Sequence, residues 1–447
     1  MLTVDAIRRC LDGEIPASIA TCSPGGVPNI TLLSQVQYVD GCHVALSYQF
    51  FNKTRENILA NPFALVEVID PVSAAVYQLS LQYLRTQTCG PLFENMKAKL
   101  AGIASHEGMT NIFRLLGADI YRVLSVQAIC GTTLPEPPGR NLLAATRLTC
   151  EHLMAGADMT AVLDRLTEDL AQLFGVTHAM VLMHDEAAAR LYTVASLGYD
   201  ASGVGSEIPL GQGVIGVAAR ERIPIRISHF ASDYVYSRAM RESIGADGMA
   251  GAIESRIPLP GLAEPHSQLA VPILAQGRLL GVLFSESAQD RRFGYDEEDA
   301  LATIAAQLGV MLLTLQTAAG EDGAGERLPA PPPTGATATI RRYGADNSIF
   351  IDDDYLIKGV AGAIFWKLLR DYAGGRRGDF TNKELRLEPA LKLPALSENL
   401  EARLILLERR LAERTSFMRI EKTGRGRFRL AVRRPVQLME MPDGGSH

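Results

Sequence analysis

Two stretches decide how many compact bodies this chain can form. Residues 131–139, GTTLPEPPG, are short and proline-rich, and residues 320–338, GEDGAGERLPAPPPTGATA, carry no apolar period. Both read as linkers, the second partly extended by its prolines. A chain of 447 residues is expected to hold two to four domains. These breaks cut it into three, and no internal repeat relates them.

Charge follows the same division. The formal net charge is −6, but residues 339–435 hold 21 Lys+Arg against 13 Asp+Glu, a local +8 that leaves −14 on the remainder. A basic module on an acidic body suggests a polyanion partner for that module alone. No run of about 18 apolar residues is found, so no membrane span is expected. The N-terminus, MLTVDAIRRCLDGEIP, carries charges where a signal peptide needs its apolar stretch, and a cytoplasmic location is expected. Six cysteines without a CxxC pair form neither a zinc pattern nor a secreted disulfide framework. Buried strand thiols in a reducing compartment are the expectation.

In the first segment, strands are predicted at 17–23 and 27–38 around the turn Pro24-Gly25-Gly26, then at 43–48, 63–70, 77–88 and 119–129, with a helix at 92–105. So many strands in one compact unit suggest a barrel. The stretch YVDGCHVALSYQFFNKTRENILANP reads as a strand, a polar loop and a short helix capped by Thr54 and ended by Asn61-Pro62. The free amides of that first turn, beside Lys53 and Arg55, make a seat for a phosphate. A capped helix with two solvated cations would carry the same residues.

Residues 17–22 and 27–38, the segment HVALSYQFFNKTRENI, and the strand pair 63–70 and 77–88 resemble the pyridoxamine-phosphate-oxidase-like, FMN-binding split barrel family. The resemblance implies a β split barrel over residues 1–130 that holds FMN. Lys53, Thr54, Arg55 and Asn57 would address the phosphate, Ser47, Gln49 and Asn52 would lie on the approach, and Gln35 could face the ring. It also implies a homodimer with the flavin at the interface. The family includes deazaflavin binders and members without a cofactor. No residue stands out as a catalytic acid or base, and the chain leaves the barrel at Pro135 without an obvious substrate-binding extension.

The second segment opens with helical spacing over 142–154 and 159–174, continues with strands at 179–184, 190–196, 223–227, 268–275 and 279–286, and closes with a helix over 296–315. That order is α+β with an antiparallel sheet. LGQGVIGVA at 210–218, QLAVPI at 268–273 with GRLLGVL at 277–283, and FGYDEEDAL at 293–301 resemble a GAF domain, over residues 140–318. Its usual pocket would be covered by the long connection 228–268, which holds His229, Tyr234, Tyr236 and Met240. A small-molecule ligand is expected there. His229 could be an axial haem ligand or an ordinary loop histidine, and the tyrosines could hold a planar ligand or simply pack. The domain could also be a dimerising and coupling module, since the helices at 159–174 and 296–315 carry more apolar surface than one small core needs.

In the third segment, AGAIFWKLLRDY is an amphipathic helix, Thr381 and Glu384 form a capping box for a second, and Ser397 caps a third. Strands at 418–421 and 427–432 flank the basic turn KTGRGR. ENLEARLILLERRLAE followed by FMRIEKTGRGRFRLAV resembles the recognition helix and wing of OmpR/PhoB-type response regulators. A winged helix-turn-helix over residues 339–436 is implied. Glu398, Asn399, Arg403 and Arg410 would then face the major groove of double-stranded DNA, with Arg425 and Arg427 on the wing. A solvated helix face would also carry the arginines.

The whole chain reads as a one-component cytosolic sensor and transcriptional regulator, coupling flavin redox state or a small molecule to DNA binding. Two alternatives stay open: a flavin-dependent oxidoreductase regulated by its GAF domain, and a signalling adaptor whose winged helix binds protein.

Overall fold

The computed structural model describes residues 2–12, 15–49, 52–106, 115–135, 141–227, 257–289, 291–318, 333–375, 377–391, 400–424 and 426–441. The protein is a multidomain mixed α/β chain.

A short 3-10 helix, Asp5–Leu11, precedes a seven-stranded antiparallel sheet. Its strands are β1 (Ala17–Cys22), β2 (Pro28–Leu33), β3 (Val36–Asp40), β4 (His43–Tyr48), β5 (Phe63–Ile69), β6 (Val76–Gln87) and β7 (Gly117–Ile129), in the spatial order β2-β1-β5-β6-β7-β4-β3. This sheet-rich region is consistent with a barrel. Helix α1 (Lys53–Ala60) follows β4, and α2 (Pro91–His106) follows β6. The strand expected over 27–38 is two strands. β2 pairs with β1 and β3 pairs with β4, at opposite ends of the sheet, so the chain has to break between them at Ser34-Gln35. Alternation does the rest: β5 turns Ala64, Val66 and Val68 inward and leaves Phe63 and Leu65 exposed. Ile30 and Leu32 of β2 are about three-quarters exposed. Ile30 pairs with Ala20, which pairs with Leu65, so an apolar row crosses the outer face.

The middle of the chain builds α3 (Leu142–Ala155), α4 (Met159–Gln172), β8 (His178–Asp185), β9 (Arg190–Leu197), β10 (Glu207–Pro209), α5 (Gly213–Glu221), β11 (Ile225–Ile227), β12 (Ser267–Ala275), β13 (Arg278–Ser287) and α6 (Tyr295–Ala318). The sheet is antiparallel, β10-β9-β8-β13-β12-β11. Val181 and Met183 turn toward α3, α4 and α6, while Met180 and Leu182 turn toward α5. Asp158 caps α4, whose Val162, Leu163, Leu166 and Leu170 are buried. The apolar faces of α4 and α6, read from sequence as surplus, are largely used inside this core. Among the described residues α6 is the one helix long and apolar enough to cross a membrane by length and composition. Here Leu301, Ile304, Ala305, Leu308 and Leu312 pack it onto the sheet.

The last part contains β14 (Ala338–Tyr343), β15 (Ser348–Ile351), β16 (Asp354–Ile357), α7 (Gly359–Gly375), β17 (Asp379–Thr381), α8 (Asn382–Leu387), α9 (Leu400–Arg414), β18 (Met418–Gly424), β19 (Arg427–Val432) and β20 (Val436–Met441). They form two sheets, β16-β15-β14-β20 and β17-β19-β18. The capping box is present, with Glu384 N donating to Thr381 Oγ1 at 3.2 Å and Thr381 N donating to Glu384 Oε2 at 3.1 Å. β14 and β20 were not foreseen; they pair in parallel with each other, 98 positions apart in register. The cysteines differ from expectation in their burial: Cys42, Cys89 and Cys130 are exposed, and the one buried thiol, Cys10, lies in the 3-10 helix.

Ions buried between the first two modules join them. Lys99 Nζ lies 2.9 Å from Asp12 Oδ1, Arg226 also pairs with Asp12, and Arg226 Nε donates to Glu298 Oε2 at 2.9 Å. Arg8 and Arg226 both lie over the ring of Tyr295, at 4.6 and 4.8 Å. Replacing Asp12 with Ala would leave two buried cations sharing one space. The expected cost is about 3–5 kcal/mol, read as a lower urea midpoint for the full chain. An unchanged midpoint would mean that water already screens these charges.

Candidate functional site

Three places were indicated by the sequence, and the first is in the barrel-like module. A cavity of about 100 Å³ lies between β2, β4, α1 and β7. Ser47, Gln49, Asn52, Thr54 and Arg55 line it, together with Asp119 and Tyr121. Ser47 Oγ and Gln49 Oε1 are buried without a protein partner, which suits a polar ligand. Gln35 Oε1 is also buried and unpartnered, but Gln35 is not part of this lining.

At the expected phosphate seat, several of the chain's own groups already hold one another. Asn52, not Thr54, is the cap; its Oδ1 accepts from Arg55 N at 3.1 Å. Thr54 Oγ1 accepts from Asn29 Nδ2 at 2.8 Å. Asn57 is buried and donates to Thr21 Oγ1, tying α1 to β1. Lys53 is exposed and pairs with Glu56 at 3.1 Å. The Arg55 guanidinium grips both oxygens of Asp119, at 2.6 and 2.7 Å, and donates to Thr86 at 2.7 Å. It also stacks over Tyr48 at 4.4 Å. Burial pushes the Asp119 carboxyl up from the ordinary aspartate value, against the pull of Thr86 and Arg55. Arg55, expected to be solvated or ligand-bound, is thus already compensated by Asp119, whereas Lys53 stays at the surface. Asp119 was missed in the sequence, although a lone acid among the apolar residues of a strand is itself a signal that a cation lies opposite.

The second place, the GAF connection with His229, Tyr234, Tyr236 and Met240, lies outside the described residues. So do Glu398, Asn399 and Arg425 of the third, and the cap expected at Ser397.

For the third place, the structure corrects the reading of Arg403 and Arg410. Both are buried, and α9 packs against the middle domain instead of presenting an open face. Arg403 reaches Asp185 at 2.5 Å and lies over the Tyr192 ring at 3.8 Å. Arg410 Nε donates to Leu356 O at 3.1 Å and Nη1 to Glu413 Oε2 at 3.0 Å. Residues the sequence reading passed over complete the junction. Arg409 bonds Asp164 and Val194 O, Lys422 pairs with Asp158 at 2.8 Å, and Ser202 donates to Glu413 at 2.5 Å. Gly205, at φ +90°, admits the helix closely: a Cβ there would meet Ile257 at 2.6 Å and Leu406 at 3.4 Å. Arg427 is half-buried beside the same junction. A signal for all this was present. Leu404, Ile405, Leu406 and Leu407 are four consecutive apolar residues, all buried, and a helix apolar all round is covered on all sides.

Comparison with known proteins bears on the middle of the chain. The profile of the GAF domain matches residues 158–312. No curated protein matches the chain. Among solved structures, the GAF domain from Acinetobacter phosphoenolpyruvate-protein phosphotransferase is similar at 21% identity and TM-score 0.32, over 41% of this chain and 99% of that one. Free methionine-R-sulfoxide reductase from Neisseria meningitidis, in complex with its substrate, is similar at 19% and 0.31, over 41% and 98%. An FMN-binding protein from Syntrophomonas wolfei is similar at 13% and 0.25, over 29% and 86%. Residues 158–312 are a GAF domain, set between a sheet-rich amino-terminal module and a mixed α/β carboxy-terminal one.

Proposed function

We propose that this chain is a sensor-regulator in which the GAF domain holds the output module and releases it on a signal. A GAF domain suggests a sensory or regulatory role. The observation that carries the rest is the docking of α9: its Arg403 and Arg409 reach the GAF domain's Asp185 and Asp164. The order α7, α8, α9 and the β18–β19 hairpin, with the local +8 charge, supports a winged helix that binds double-stranded DNA. In the docked state its third helix cannot enter a major groove.

Release is then the regulated step. Changing Asp158, Asp164 and Asp185 together to Asn removes three anchors from the GAF side. The variant is expected to bind duplex DNA about tenfold more tightly than the parent, equivalent to ~1.4 kcal/mol, with affinity falling steeply with salt. A gel-shift series at several salt concentrations measures this. Absence of duplex binding in the variant even at low salt removes DNA as the partner and leaves a protein partner for the same surface.

For the amino-terminal module we propose that an FMN phosphate would have to take Arg55 from Asp119. When bound, a flavin supplies redox chemistry; here Ser47 and Gln49 would orient its polar edge, and Arg55 would meet the phosphate. Asp119→Asn is expected to raise affinity for added FMN about tenfold, on the scale of one compensated charge, by fluorescence quenching. Stoichiometric FMN released from the unaltered protein, and lost in Arg55→Ala, would show that Asp119 offers no competition.

The exposed row of Ile30, Leu32, Phe63 and Leu65 supports a homodimer through the barrel-like module. Light scattering on the full chain is expected to give a dimer, and Ile30→Glu with Leu32→Glu a monomer. A monomeric parent rejects the pairing.

A further inference from the structure

The junction between the GAF domain and the output module is not closed throughout. A cleft of about 720 Å³ opens between the α4 start, the α6 end, α9 and the β18–β19 hairpin. That volume is within the range of small-molecule sites. Its walls are mainly apolar: Met311 and Leu315 from α6, Leu404 and Ile405 from α9, Ile420 and Phe428 from the hairpin.

The charges in the lining are unequal in availability. It holds the acids Asp158, Glu401 and Glu408 and the bases Lys422 and Arg427. Asp158 and Lys422 satisfy each other at 2.8 Å. Glu401 accepts from Arg386 at 3.1 Å and from Asn382 at 3.0 Å. Glu408 is half-buried and has neither an ion pair nor a hydrogen bond among the described residues. Burial raises its carboxyl above the ordinary glutamate value, opposed by Lys422 and Arg409 and reinforced by Asp158 and Asp164. One carboxylate without a partner beside an apolar wall is a recognition pattern and not a neutral void.

We propose that this cleft is a ligand site for an apolar small molecule bearing an ammonium group, with the ammonium on Glu408. Such a ligand would supply the partner that Glu408 lacks and cover apolar side chains from both domains. No residue of the connection 228–268 is among the lining residues, and the binding claim does not depend on DNA being the output.

The test uses the full chain and two fluorescent probes with the same apolar body and opposite charge: dansylcadaverine, an amine, and 6-(dansylamino)hexanoic acid, a carboxylate. Titration is expected to show saturable binding of the amine, about tenfold tighter than the acid. Glu408→Gln should bring the amine down to the level of the acid, whereas Glu401→Gln, which alters an already paired carboxylate, should leave the difference in place. Thermal melting confirms that both variants are folded, and the amide replacements keep side-chain size. Equal binding of the two probes, preference for the acid, no saturable binding of either, or an unchanged preference in Glu408→Gln would each overturn the proposal.

Discussion

A buried guanidinium has to be paired, and this fold is arranged around several that are. Arg403, Arg226 and Arg55 each lie away from water with a carboxylate against them: Asp185, Asp12 with Glu298, and Asp119. Charges this far from solvent fix geometry more than they add stability, because the desolvation cost offsets much of the attraction. Their consequence is directional. Arg403 can be buried only where Asp185 is presented, so α9 has one place to lie on the GAF sheet. Arg226 likewise sets where the barrel-like module meets α6.

These pairs turn three modules into a connected body. One hydrophobic cluster runs from the GAF helices through Ile340 and Phe365 to Leu430, so the second and third modules share a core. Modules joined by a shared core do not move as beads on a string. The GAF domain and the third module are therefore coupled physically: anything that alters the seats of Asp158, Asp164 or Asp185 changes the stability of the contact between them. The cleft in the same junction marks where that shared core is incomplete.

The same logic explains why the barrel-like module departs from its expected chemistry. A helix start with two nearby cations is an anion seat only while those cations are free. Lys53 is paired with a neighbour on its own helix, and Arg55 is folded inward onto a strand 64 positions away. Ser47 and Gln49 still line the cavity, each with a buried oxygen that no protein group satisfies.

Much of the architecture was legible in the sequence. Alternation and helical spacing located most strands and helices, the Thr381–Glu384 capping box marked a helix start, and the glycine-rich and acidic segments at 210–218 and 293–301 marked the GAF domain. These are local properties, fixed by period and by backbone groups that need partners nearby. What the tertiary structure decided is what local pattern cannot hold. β20 is a strand because it pairs with β14 across most of the third module. Arg403 and Arg410 looked like a solvent-facing row because helical spacing gives a face but not its neighbour, and here the neighbour is protein. Arg55 looked like a ligand because its partner, Asp119, is remote in the chain. The sequence sets which groups need a partner; only the packing of distant segments determines whether the protein supplies that partner itself.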